Sequence, residues 1–327
     1  MSIIKWLTLF NIGRGFYSNI KHYKAELMGL AIILIMCYHS ERLPVIGKLQ
    51  DFGDIGVDIF LFLGAYTCTT SYLKFVGAQG MKGFRAYLWR RIRRIVPPYM
   101  ILWGPVFAIS TVVEHETILS FLKSWVLWDS WFHNSRFLWY IPSVLTMYAI
   151  LPCYVQACRK WKAMYWMPVA LILCNVYMGI IDFEPVPQMT LTRLPVFLLG
   201  INLYLAKDSS VPQSGFVVFA VLTVLIIGFY LLTKTVLPEY SNLEIKRTCY
   251  IPFVLLLVHG WHCKSAFLQF LGAITLEIYL IHECLVYKPL CEHLEFSPYL
   301  ATFVAMPVAV GVAWTYNKLL KYLIYKK

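Results

Sequence analysis

The residues best suited to chemistry are a histidine and an aspartate set at the ends of two consecutive apolar stretches. The first stretch runs from Glu26 through Gly29, Ile32 and Ile35 to His39 and Ser40; the second opens at Gly53 and carries Asp58 about one turn into its helix. Histidine takes up and returns protons near neutral pH, so His39 suits proton abstraction from a hydroxyl. If the two stretches form a helical hairpin, Asp58 comes beside His39. A carboxylate on one ring nitrogen would then fix the tautomer while the other nitrogen faces substrate. Two plainer readings stay open: His39 closing its helix in the headgroup region, and Asp58 favoured by the positive end of a helix dipole.

A second constellation is Arg90, Arg91, Arg93 and Arg94, four guanidiniums within five residues just before Pro97 and Pro98. On a helix Arg90 neighbours Arg93 and Arg94, and Arg91 neighbours Arg94, a spacing that presents forked donors to phosphates or to anionic lipid. Further polar residues stand out in apolar surroundings. Arg136, Trp139 and Tyr140 open one helix and Arg193 opens another, while Glu277 and His282 lie five apart in a third. An ionisable residue at membrane depth is a functional candidate because burying it is costly. Either arginine also suits a plain role, reaching from a helix end to the interface. His259 and His262 have the spacing of a metal pair but no carboxylate near them in sequence, and no zinc-type Cys or His pattern occurs, so no metal is expected.

The elements that position these groups follow from composition. Of 327 residues, 59% are apolar and 14% charged, against roughly 45–50% and about 25% in soluble domains. Apolar windows near residues 25–40, 55–73, 95–112, 138–155, 163–181, 191–206, 215–233, 248–259, 267–287 and 298–316 imply an all-α integral membrane bundle of about ten transmembrane helices. With both termini cytoplasmic, 20 of the 29 basic residues fall inside and 14 of the 17 acidic ones outside, as the positive-inside rule requires. The net charge of +12 is thereby a topological signal, and no nucleic-acid partner is expected. Residues 1–24 read as a cytoplasmic interfacial segment, with Ile3, Trp6 and Phe10 against lipid, and 25–327 as the membrane domain. Nine cysteines, mostly within apolar stretches, indicate no disulfide framework.

Taken in order, these segments resemble the acyltransferase 3 family of multi-pass membrane acyltransferases. The resemblance rests on Leu27 to His39, on Gly56-Val57-Asp58-Ile59-Phe60, on Arg90 to Tyr99, on Trp139 to Pro142 and on Thr275 to His282. Two positions depart from the family pattern: Met28 where an arginine is usual, and Leu63 where a serine is usual. The resemblance implies transfer of an acyl group, usually acetyl, from cytoplasmic acyl-CoA to a hydroxyl of a glycan or lipid-linked saccharide. The acyl-CoA is a donor cosubstrate, and no cofactor is bound permanently. It implies His39 as general base oriented by Asp58, Arg90, Arg91, Arg93 and Arg94 on the coenzyme A phosphates, and Arg136, Trp139, Tyr140, Arg193, Glu277 and His282 as substrate contacts. The expected location is the bacterial inner membrane. A polytopic transporter or saccharide flippase is the alternative, since the same polar residues could line a permeation path.

Overall fold

A computed structural model describes residues 12–43, 47–133, 138–181, 183, 186–206, 228, 250–251, 253–255, 257–258, 260–292 and 294–324. Among them every regular element is helical. In chain order these are α1 (Ile12–Tyr38), α2 (Gly47–Gln50), α3 (Ile55–Val113), α4 (Ile118–Trp125), α5 (Trp128–Phe132), α6 (Tyr140–Lys160), α7 (Met167–Ile180), α8 (Gln188–Leu205), α9 (Ala266–Ala273), α10 (Thr275–Ile281), α11 (Lys288–Glu292) and α12 (Pro298–Leu323). A 3-10 turn, Lys162–Trp166, leads into α7, and a π-helical turn, His282–Tyr287, joins α10 to α11.

Among the described residues five stretches are long and apolar enough to cross a membrane: Ile55–Val76, Lys82–Val113, Tyr140–Lys160, Lys162–Ile180 and Pro298–Leu323. A sixth results if Ala266–Ala273 and Thr275–Glu292, bent by 66°, form one broken span. The expected windows 25–40 and 191–206 are helical, as α1 and α8, but these helices carry Lys24 and Glu26, and Gln188, Arg193 and Asn202. The window 215–233, apart from one residue, and part of 248–259 lie outside the described residues, as do residues 1–10.

Helix α3 is helical throughout but does not run straight. Tyr72 and Tyr87 have ring centroids 5.5 Å apart, and the Arg90 guanidinium sits 4.7 Å from the Phe75 ring centroid. Fifteen residues of straight helix would separate such positions by about 22 Å. The two halves therefore fold back on one another, returning the arginine-bearing half beside the half that carries Asp58.

The interior is built where α1, the first half of α3, α6, α8, α10 and α12 meet, around Leu27, Phe62, Met147, Phe197 and Ile278, all essentially inaccessible. Helices α1 and α9 approach closely because each offers a glycine to the other. A Cβ on Gly29 would meet the Leu268 carbonyl oxygen, and one on Gly272 would meet that of Ala25. Small residues allow this approach in lipid, where packing rather than hydrophobic expulsion holds helices together. At the same crossing Gln269 donates to buried Glu26 across 2.7 Å.

Candidate functional site

Helix α1 delivers His39. The ring follows its last turn, where the His39 amide still donates to the Ile35 carbonyl at 3.2 Å. The next residues are fixed by Gln50, whose amide nitrogen donates to the Glu41 carbonyl at 2.9 Å and the Ser40 hydroxyl at 3.0 Å. Its oxygen accepts from the Leu43 amide at 2.7 Å. Gln50, the last residue of α2, thus clamps the loop after His39, a role that sequence reasoning did not find.

His39 does not pair with Asp58. Its Nδ1 lies 2.9 Å from Glu283 Oε2, and Glu283 Oε1 accepts from Lys288 at 3.1 Å. A carboxylate accepts, so His39 Nδ1 carries the proton and Nε2 holds the lone pair of a general base. Beside it stands the ring of His282, with centroids 5.2 Å apart. His282 Nδ1 is 3.1 Å from both the Ile278 and Tyr279 carbonyl oxygens, so that nitrogen donates. Its Nε2 is buried with no hydrogen-bond partner among the described residues, a second lone pair in the same place. The π turn that begins at His282 sets Glu283 toward α1; such widened turns are frequent at functional sites.

Asp58 instead faces α8. It is 3% exposed and accepts from Arg193 Nη1 at 2.7 Å, while Arg193 Nη2 donates to Asp54 at 3.1 Å. The same guanidinium lies 5.3 Å from the Trp139 ring centroid. Buried Asp58 and Arg193 and half-buried Trp139 therefore form one unit next to the His39 site, and Arg193 does not reach out to the interface. The correction has a simple cause: one turn into α3, Asp58 is on the face packed against α8 rather than the face toward α1. Arg136 lies outside the described residues, as does His259.

The four arginines separate in the same way. Arg90 packs over Phe75, and Arg93 donates to the Ile324 carbonyl at 2.6 Å. Arg94 donates to Glu277 through both nitrogens, at 2.7 and 3.4 Å. Glu277, fully buried, also accepts from Asn317 at 2.9 Å, so it ties α3, α10 and α12 together. Only Arg91 and Arg94 of the four line a cavity of about 230 Å³, together with Lys24, Met28, Tyr140 and Tyr279. Lys24 sits one turn before Met28 on α1 and donates to Thr67 at 3.4 Å.

A second cavity, about 190 Å³, is lined by His39, Trp139, Tyr279, His282, Glu283 and Lys288 among others. Lys24 and His39 are fifteen residues apart on α1, so the basic end of the first cavity and the histidine end of the second stand about 22 Å apart along one helix. Tyr279 borders both cavities, and its ring centroid is 5.2 Å from that of Tyr140. Apart from the His259 and His262 spacing noted in the sequence, His39, His282 and Glu283 place ligand atoms within 4.8 Å of one another. The Lys288 ammonium on the same carboxylate opposes a divalent cation there.

Membrane-length apolar helices, helical structure throughout the described residues, a half-buried histidine–carboxylate pair at one end and a basic cavity at the other define a polytopic membrane protein with enzyme-like features. A family model described as an acyltransferase domain matches residues 27–318, nearly the whole chain, and the chain belongs to that family, acyltransferase 3. No curated protein and no solved structure matches it.

Proposed function

We propose that this membrane acyltransferase moves a short acyl group, acetyl in the simplest case, from acyl-CoA to a hydroxyl of a glycan or lipid-linked saccharide. The observation that carries this reading is the His39–Glu283 pair, 2.9 Å apart, on a cavity whose neighbour is lined by Lys24, Arg91 and Arg94. Phosphates of the donor would rest on those cations, and its thioester arm would extend along α1 toward His39. The expected ten spans and cytoplasmic termini would put the basic end at the inner face of the bacterial membrane and His39 near the outer face.

In the reaction, His39 Nε2 takes the proton of the acceptor hydroxyl as its oxygen attacks the thioester carbonyl. The tetrahedral intermediate collapses by breaking the carbon–sulfur bond, and the imidazolium returns the proton to the departing thiolate. Glu283 holds the ring and stabilises its positive charge. His282 Nε2 accepts a hydrogen bond from a second hydroxyl of the acceptor, which orients the attacking one. Arg193 acts indirectly, by holding Trp139 at the cavity wall.

The test uses purified protein, acetyl-CoA labelled in the acetyl group, and a glycolipid extract of the host membrane. Label appearing in glycolipid with equal release of coenzyme A thiol supports acyl transfer. Movement of saccharide across a bilayer with the thioester left intact would instead support the transporter reading and overturn this one.

A further inference from the structure

The two cavities are distinct, and what divides them is specific. Ile35 borders the basic cavity and His39 the histidine cavity; they are one turn apart on α1. On the facing helix Tyr279 borders both, and His282, three residues on, borders only the second. The partition is therefore about one helical turn thick, some 5 Å. Its substance is aromatic: Tyr279 against Tyr140 at 5.2 Å between centroids, with Phe60 behind Tyr140 at 6.5 Å. On the histidine side the next walls are Trp139 and Leu280. The Leu280 carbonyl accepts from the Trp103 indole at 3.2 Å, which anchors that stretch of backbone.

This arrangement bears on which donors the protein can use. An acyl group arriving from the basic end leads its thioester, so it must cross the Tyr140–Tyr279 contact before the carbonyl reaches His39. Once across, it shares the space with the acceptor hydroxyl. A cavity of about 190 Å³ is below the roughly 300–1,000 Å³ of pockets that hold drug-sized ligands, so acceptor and acyl group together leave little room for a chain. Resting on the acyltransferase reading above, we infer that Tyr279, backed by Tyr140, is the specificity-determining wall that limits the transferred acyl group to two or three carbons. Truncating either ring joins the two cavities and gives a longer chain somewhere to lie.

The test is donor selectivity, a ratio unaffected by how much of a variant folds. Coenzyme A release with glycolipid acceptor is measured for acetyl-CoA, butanoyl-CoA and octanoyl-CoA in the wild type, Tyr279→Ala, Tyr140→Ala and Tyr279→Phe. The wild type should favour acetyl over octanoyl by at least about a hundredfold in kcat/KM. Either alanine variant should lower that ratio by about tenfold or more through gained octanoyl transfer, while Tyr279→Phe, which keeps the ring, should retain it. An unchanged ratio in both alanine variants of an active enzyme overturns the inference and leaves the acyltransferase reading intact. Equal use of all three donors by the wild type also overturns it. A wild type that cleaves none of the thioesters overturns both.

Discussion

Replacing Arg193 by Met should destabilise the fold severely. Asp58, 3% exposed and 2.7 Å from the guanidinium, would lose the cation that faces it at this buried position. Removing one member of a buried ion pair costs about 3–5 kcal/mol, chiefly the desolvation of the charge left behind. Loss of the contact between Arg193 and the Trp139 ring at 5.3 Å adds about 0.5–2 kcal/mol. Against a typical total of roughly 5–15 kcal/mol, this is about a quarter of the stability or more. The double variant Arg193→Met, Asp58→Leu removes both charges and should lie within about 2 kcal/mol of wild type, because a buried pair replaced by apolar groups is often nearly neutral. Asp54 would lose one donor, but its side chain keeps 12% exposure and hence some water. The assay is equilibrium unfolding by sodium dodecyl sulfate in mixed micelles, on both single variants and the double. A loss under about 1 kcal/mol for Arg193→Met refutes the reasoning. So does a double variant as unstable as the two single losses combined, since residues acting as one pair should not be additive.

Glu283→Gln should lower kcat by about a hundredfold, within the range for losing an effective general base, with KM for acyl-CoA nearly unchanged; a kcat within twofold of wild type would mean that the carboxylate does not act through His39. Arg91→Ala should raise the KM for acyl-CoA at least about tenfold, whereas Arg90→Ala, whose side chain packs over Phe75, should change it less than about twofold; steady-state kinetics separates the two. Gly272→Ala forces a Cβ onto the Ala25 carbonyl and should cost about 1–3 kcal/mol, the range for overpacking, read in the same micellar unfolding assay.

Much of this organisation is legible in the sequence, and the residues show where legibility stops. His39 and the arginine run stand out because charge is scarce in an apolar chain, and scarcity is visible without a fold. The partner of His39 is not visible. Glu283 is 244 positions away and adjacent to the more conspicuous His282, and only the π turn decides which of the two meets α1. Periodicity gives the spacing of a helix face but not its neighbour, so in sequence Asp58 reads as the partner of the nearer histidine, whereas in the fold its neighbour is Arg193 on α8. The same limit applies to the arginines. Helical spacing groups Arg90, Arg93 and Arg94, yet they go to an aromatic ring, a backbone carbonyl and a buried carboxylate respectively. Glu277, whose apolar surroundings in sequence drew attention, proves to be a bracing point between three helices.

The most direct measurement of acyl transfer at His39 uses proteoliposomes with acyl-CoA confined to the side of the arginine cluster and glycolipid saccharide exposed on the other. Wild-type protein should move labelled acetyl from one side to the other, and His39→Ala, folded to the same extent by micellar unfolding, should lose that transfer by about 10²-fold or more. Equal transfer by the two proteins would contradict the assignment of His39 as the base.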